Sequence, residues 1–247
     1  MRKKKIRSVP AKGYFRVIKR NKDGSIKRVY FPPSREVRKR HKKILNSPEL
    51  KNLNYSLKET IKPHLKNIYF VVMDIEDAFG SVTLSKVEDF GWDFIYKENM
   101  EFFFHINWGD ESLIQGAPAS PKIFELFLKS TIDLKLEEFC VKRGIVYSRY
   151  VDDFIFSSKK PIPKSLRKIF KMILTESGFK INPQKTQVLS TWNKPLKVLG
   201  VEIERGRVKV RDNLKKKLKH LRKNQGISLK KIQGMEAWVK YVDNINN

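Results

Sequence analysis

Cysteine, histidine and acid are all scarce in this chain. Cys140 is the single cysteine among 247 residues, which excludes an intramolecular disulfide and any multi-cysteine zinc site. Flanked by Phe139 and Val141, it reads as a small core residue, and a reducing, cytoplasmic location is expected. No apolar stretch approaches the length of a bilayer span. The basic start Met1-Arg2-Lys3-Lys4-Lys5-Ile6-Arg7 lacks the apolar segment that a secretion signal needs, so no membrane partner is expected. Asp and Glu total 26 against 53 Lys and Arg, a formal net charge of +27. Like charges repel in a compact state. Such an excess therefore points to a polyanionic partner; nucleic acid is the first candidate, and an anionic membrane surface, the second, is the weak one because neither a span nor a signal accompanies it. With 40% hydrophobic and 11% aromatic residues, the chain has the apolar material of a folded protein.

No internal repeat or low-complexity linker divides the chain, but three regions differ in character. Residues 1–67 are strongly basic. They hold an expected hairpin, Tyr14-Phe15-Arg16-Val17-Ile18 and Ile26 to Phe31, around the turn Asn21-Lys22-Asp23-Gly24. A helix is expected from the N-cap Ser34, with Val37 and Ile44 on its apolar face and Arg38, Lys39, Arg40, Lys42 and Lys43 on the other. Residues 68–203 carry the best strands. They also hold a long amphipathic helix, expected over Pro118 to Cys140 with Ile123, Phe127, Ile132, Leu134 and Leu136 apolar. A second helix, Leu166 to Glu176, is closed by Ser177-Gly178. Phe179-Lys180-Ile181 and Gln187-Val188-Leu189 read as short strands. In residues 204–247, Arg207 to Val210 reads as a strand, and Leu214, Leu218 and Leu221 mark the apolar face of a cationic helix. Leu229 to Val242 reads as a last helix. Strands and helices mix without regular βαβ alternation, so the class is α+β.

The acids that are present fall in telling places. Tyr150-Val151-Asp152-Asp153 lies between Ser148-Arg149 and Phe154-Ile155-Phe156, so both carboxylates should sit at a hairpin tip, free of strand alternation. Asp74 ends the apolar run Tyr69-Phe70-Val71-Val72-Met73. An isolated Asp-Asp pair is more often an ordinary turn. Three acids at strand ends in so basic a chain point instead to metal-dependent chemistry on nucleic acid phosphates. Phosphoryl transfer needs a deprotonated attacking oxygen and neutralisation of the leaving phosphate. Two metal ions roughly 4 Å apart supply both. Carboxylates and few histidines agree with Mg²⁺.

At this point the residues resemble reverse transcriptases. Tyr150-Val151-Asp152-Asp153 resembles the family's catalytic box, and further blocks occur in family order. Asp74-Ile75-Glu76-Asp77-Ala78-Phe79 is similar to the first palm motif. Gln115-Gly116-Ala117-Pro118-Ala119-Ser120-Pro121 is similar to the Gln-Gly block that opens the palm helix. Gly178-Phe179-Lys180-Ile181-Asn182-Pro183-Gln184-Lys185-Thr186 resembles the block with an Asn-Pro-x-Lys-Thr core. Val198-Leu199-Gly200-Val201 resembles the strand that grips the primer.

The resemblance implies a right-hand fold: fingers in residues 1–67 with part of 91–114, palm in 68–203, and a short thumb in 204–247. It implies that Asp74, Asp152 and Asp153, with the backbone carbonyl of Ile75, hold two Mg²⁺ ions, Mn²⁺ being an alternative. Phe79 would be the steric gate under the incoming sugar, with core packing an equally open reading. Gln115 and Gly116 would meet the nucleotide, and Lys185 the triphosphate. Arg28 would clamp the triphosphate with either Lys19 or Lys22. Arg38, Lys39, Lys42, Gly200, Lys215 and Lys219 would contact template or primer. The implied partners are an RNA template, a primer and dNTPs, with a dedicated noncoding RNA as a candidate template.

The Gln-Gly-Ala-Pro-x-Ser-Pro form resembles retron and phage-defence enzymes of bacteria. The chain departs from retrons in lacking an Asn-Ala-x-x-His block and a Val-Thr-Gly. No RNase H, protease, integrase or maturation domain is expected in the remaining length. Non-templated nucleotide addition, RNA synthesis by the same palm, or structured-RNA binding without catalysis are the alternatives.

Overall fold

Strands form where β-branched and aromatic residues cluster between turn residues. In chain order they are β1 Val17–Arg20, β2 Ile26–Tyr30, β3 Tyr69–Asp74, β4 Phe104–Asn107, β5 Asp110–Leu113, β6 Val146–Tyr150, β7 Asp153–Ser158, β8 Gln187–Ser190, β9 Leu196–Val198, β10 Val201–Glu204 and β11 Arg207–Val210. The computed structural model describes residues 13–21, 23–53, 56–89, 104–107, 110–223 and 229–246. It divides into two compact units, one of residues 1–54, 76–134 and 176–180, the other of 55–75, 135–175 and 181–247. Among the described residues no helix is long and apolar enough to cross a membrane.

The first unit holds the antiparallel pairs β1–β2 and β4–β5. The first hairpin starts later than its sequence suggests. Tyr14 and Phe15 stay outside β1, because Tyr14 bridges Pro33 and the Phe15 N–H donates to the Pro32 carbonyl at 3.0 Å. Of the expected turn, Lys22 lies outside the described residues, and Gly24 takes a left-handed φ of 81°. Helix Arg35–Leu45 begins as expected. The Ser34 hydroxyl accepts from the Val37 N–H, and Val37, His41 and Ile44 form the buried face. Tyr14, Phe31, Val37, Ile114 and Ala117 make one buried cluster of this unit.

The expected helix Pro118 to Cys140 is interrupted. It runs as α-helix Ser120–Leu128, a π-helical stretch Lys129–Asp133 and α-helix Leu134–Val141. The hydroxyls of Ser130 and Thr131 donate back to the carbonyls of Leu126 and Phe127 at 2.9 and 2.7 Å, competing with the helical ladder. The π stretch shifts the phase. Ile123, Phe127, Ile132, Leu136 and Cys140 are buried, whereas Leu134 is 62% exposed and leaves the apolar face to which its spacing assigned it.

The second unit is built on the antiparallel sheet β6-β7-β3-β8 and the three-stranded sheet β11-β10-β9. Side chains alternate across a strand. Phe70, Val72 and Ile155 therefore share one face, packed into a core with Leu57, Ile61, Leu196, Val201 and Ile203. Phe156 points the other way and stacks on Phe170 of helix Lys164–Glu176, centroids 4.0 Å apart. Burial on both faces explains why β3 reads as an unbroken apolar run. The strand expected at Phe179 to Ile181 reduces to a single bridge from Ile181 to Ile75. Leu218 and Leu221 of helix Asp212–Lys223 are buried as expected. Arg222 joins that helix to Leu229–Asp243 through both Nε and Nη2 on Glu236.

Candidate active site

The site begins with strand register. β3 and β7 pair from Tyr69 with Ser158 to Asp74 with Asp153. Directly opposed residues in an antiparallel pair project to the same face, about 5 Å apart at Cβ. Asp74 and Asp153 therefore stand side by side at one end of the sheet. Tyr150 also pairs with Asp153, which leaves Val151 and Asp152 as a two-residue turn. The expectation that both aspartates leave the strand is thus corrected: Asp152 is in the turn, while Asp153 opens β7 in register with Asp74.

The turn is strained. Val151 adopts a φ of 56°, a left-handed conformation unusual for a β-branched residue. Its carbonyl accepts from Nη1 of the buried Arg149 at 3.0 Å, and the next carbonyl, that of Asp152, accepts from the Ile75 N–H at 3.3 Å. Those contacts hold the box against its own preference.

Electrostatics follow from this crowding. Burial first, then the charges of Asp152 and Asp74, push the Asp153 carboxyl up to about 6, against an opposing pull from Lys185. Lys185 Nζ pairs with Asp74 Oδ2 at 2.7 Å, its side chain 60% exposed and that of Asp74 5%. Desolvation alone would lower the Lys185 ammonium. The Asp74 hydrogen bond and the three carboxylates outweigh it and hold the ammonium above the ordinary lysine range. Asp74 Oδ1 is buried and accepts no hydrogen bond from the described residues.

Among the described residues no three His, Cys, Asp or Glu side chains stand together as a ready metal cage. The donor chemistry nevertheless fits a hard cation. Two facing carboxylates of a buried sheet end, one with an unpartnered oxygen, are oxygen ligands short of positive charge. Lys185 supplies that charge in this state. Ile75, expected to add its backbone carbonyl, is buried beside Asp74 and bridges Ile181.

Behind the carboxylates, on the same sheet face, lies Ser157, two strand repeats from Asp153. The buried His64 ring joins Ser157 Oγ to Nδ1 at 2.6 Å and Ser148 Oγ to Nε2 at 2.7 Å. Ser148 donates its proton to the Thr60 carbonyl and Asn67 donates to Ser157. The donor count then requires Nε2–H donating to Ser148 and Ser157 donating to Nδ1. Burial lowers the imidazole to about 3, so His64 is neutral and ties both strands of the Asp-Asp hairpin together.

The nucleotide-side candidates lie in the first unit. Arg28 is exposed and sits opposite Lys19 across the β1–β2 pair. Of the two lysines considered, Lys19 is thus placed beside Arg28, and Lys22 is outside the described residues. Oriented so that both ends are satisfied, the Gln115 amide donates to the Val29 carbonyl at 2.9 Å and accepts from Arg28 Nη2 at 3.1 Å. Gly116 has a φ of 107°, and a Cβ there would lie 3.0 to 3.1 Å from the Phe31 backbone. Its close approach is therefore to Phe31. Phe79 is half-buried, its ring 5.3 Å from that of Phe124.

Arg38, Lys39 and Lys42 are exposed on helix Arg35–Leu45, as are Lys215 and Lys219 on Asp212–Lys223. Gly200 forms the β9–β10 turn with Leu199, both at positive φ, facing Trp238.

Comparison with known proteins gives the family and the fold. Residues 4–203 match the family described as reverse transcriptase (RNA-dependent DNA polymerase). The chain belongs to the reverse transcriptase family. It is 28% identical over 199 residues to the retron Ec86 reverse transcriptase of Escherichia coli, covering 76% of this chain and 60% of that one. To the retron Ec73 reverse transcriptase of Escherichia coli it is 30% identical over 171 residues, 61% and 53% of the two chains. To the retron Mx65 reverse transcriptase of Myxococcus xanthus it is 26% identical over 153 residues, 54% and 36%. The chain spans less than two thirds of the length of each of these relatives.

Among the solved structures that share the fold are the following two. One is a foamy viral protease-reverse transcriptase in complex with double-stranded DNA, with TM-score 0.55, 19% identity, and 94% of this chain and 37% of that one covered. The other is a telomerase from Candida albicans, with TM-score 0.53, 12% identity, and 85% and 50% covered. The expected α+β polymerase-type fold and the likeness to bacterial retron enzymes are borne out.

Sequence reasoning missed two supports of this candidate site. Arg149 showed only as a cation ahead of Tyr150-Val151-Asp152-Asp153. His64 followed Pro63 in a polar stretch, and nothing local marked it as the bridge between Ser148 and Ser157.

Proposed function

We propose that the chain is an RNA-directed DNA polymerase that extends a primer 3′ end with dNTPs, with a noncoding RNA of a bacterial element as its template. The observation that carries this reading is the register of Asp74 with Asp153, with Asp152 in the adjoining turn. Asp74, Asp152 and Asp153 would hold two Mg²⁺ ions, which when bound lower the pKa of the attacking hydroxyl and neutralise the leaving pyrophosphate. The unpartnered Asp74 Oδ1 and the proton-hungry Asp153 support that assignment. Lys185 is kept protonated beside Asp74, so its ammonium would face the triphosphate and, once drawn from Asp74, could protonate the departing pyrophosphate. Arg28 and Lys19 would receive the triphosphate, Arg28 through its planar guanidinium and with Gln115 fixing its orientation. Arg38, Lys39, Lys42, Lys215 and Lys219 would contact phosphates without reading bases.

The test is primer extension on a primed RNA template with dNTPs and Mg²⁺. Asp152→Ala with Asp153→Ala should abolish incorporation while RNA affinity is retained. Wild-type extension by that double variant would remove the catalytic assignment. Extension that ignores template sequence, or that prefers ribonucleotides, would turn the same palm to a different product.

A further inference from the structure

The end of the palm sheet remote from the carboxylates carries a second cluster with its own chemistry. β3 separates the two ends by five residues, roughly 17 Å at the rise of a strand. At the remote end, the Ile68 N–H donates to the Ser158 carbonyl at 3.2 Å and the Thr191 N–H to the Ile68 carbonyl at 2.9 Å. This gathers the segments 65–68, 158–160 and 190–194. The β10–β11 turn joins them: a Cβ on Gly206, at φ 79°, would lie 2.8 Å from the Leu65 carbonyl. That contact seats the neighbouring Arg205, whose guanidinium lies 5.7 Å from the Trp192 ring centroid. Trp192 is 58% exposed, unusual for a large aromatic without a role at a surface. Around it Lys66, Lys159, Lys160, Lys194, Arg205 and Arg207 are all exposed, and these segments contain no acid. The flanking Glu204 is paired with Lys209 at 2.6 Å.

Exposed indole beside guanidinium offers a flat stacking surface, and the cations around it suit phosphates. A duplex hides its base faces, so its phosphates alone would use this cluster. We infer that this end of the sheet is a docking site for an unpaired polynucleotide segment, with a base stacked on Trp192 and its phosphates on the surrounding lysines and arginines. The site is distinct from the carboxylate end, and its occupancy is read by binding alone, without turnover.

The test uses the full chain pre-bound to a short primer–template, so that the polymerase site is filled. Fluorescence anisotropy then measures a labelled unpaired 12-nucleotide RNA, the same sequence as DNA, and a blunt duplex of equal length. Trp192→Ala should weaken single-strand binding about tenfold or more, with Trp192→Phe restoring most of it. Lys159→Gln with Lys160→Gln should flatten the dependence of log affinity on log salt by about 1.4, two single-strand phosphate contacts. All three variants should keep wild-type extension of the short primer–template, which serves as the folding control.

Loss for both RNA and DNA assigns an unpaired strand of either sugar, and loss for one alone names the strand that docks. Unchanged affinity and salt slope in the lysine variant would overturn the inference, even if the tryptophan variant failed to fold. Equal losses on the blunt duplex would overturn the stacking role. Competition by polyglutamate as effective as that by oligonucleotide would make the patch an acidic-polypeptide site instead.

Discussion

Asp153→Asn should make the metal-free protein more stable and inactive at once. The carboxyl of Asp153 is pushed from the ordinary 3.8 up to about 6. The folded chain therefore binds this proton more tightly than the unfolded chain does. Stability contributed by the group is full below pH 3.8, falls as pH rises through 6, and is gone at neutral pH. At about 1.36 kcal/mol per pH unit, the ionised carboxylate weakens the fold by about 3 kcal/mol above pH 6. An amide keeps the shape and removes the charge that faces Asp74 and Asp152.

Urea denaturation in EDTA should show the variant more stable by up to about 3 kcal/mol at pH 7.5, with the gap closing as pH falls to 4. Mg²⁺ should then raise the wild-type midpoint more than the variant's, because the cation relieves the repulsion that the amide has already removed. No gain at pH 7.5, or a gap that does not change with pH, would refute the electrostatic account of this sheet end.

Three further outcomes follow from the same contacts. His64→Ala should lower stability by about 3 to 5 kcal/mol, because it leaves a buried gap and strips Ser157 and Ser148 of their ring partner. An unchanged denaturation midpoint would show that the chain of hydrogen bonds is dispensable. Gly116→Ala, at φ 107° against the Phe31 backbone, should cost about 1 to 3 kcal/mol. The melting temperature reports it, and a neutral result would mean that the Gln-Gly turn relaxes freely. Phe79→Ala should raise ribonucleotide over deoxyribonucleotide incorporation if the half-buried ring is the sugar gate. An unchanged ratio would return it to packing against Phe124.

How much of this was legible in sequence depends on the range over which each feature acts. The Ser34 cap, the Asp23-Gly24 turn and the apolar face of helix Arg35–Leu45 depend on neighbours within a turn or two, and they stand where the chain places them. The helix Pro118 to Cys140 was legible as a helix but not as an interrupted one. Ile132 follows the apolar Leu128 by four residues, an ordinary helical step, so the spacing did not mark the π stretch at Lys129–Asp133 where Ser130 and Thr131 back-bond. The edge of the first hairpin also moved, because Tyr14 finds a buried partner in His41, 2.7 Å away and far along the chain.

The sequence by itself determined that three aspartates border apolar runs in a basic, cysteine-poor chain, and with the Gln115-Gly116, Lys185 and Gly200 blocks those local patterns were enough for the reverse transcriptase resemblance. Only the tertiary structure decided that Asp74 opposes Asp153, and that Lys185, 111 residues from Asp74, neutralises it. Only it decided that His64 locks a hairpin 93 residues away and that Arg205 lies by Trp192. The physical reason is that alternation and turn chemistry act between neighbours. A carboxylate's proton affinity and a cation's partner instead depend on register and burial, which exist only when distant strands have paired.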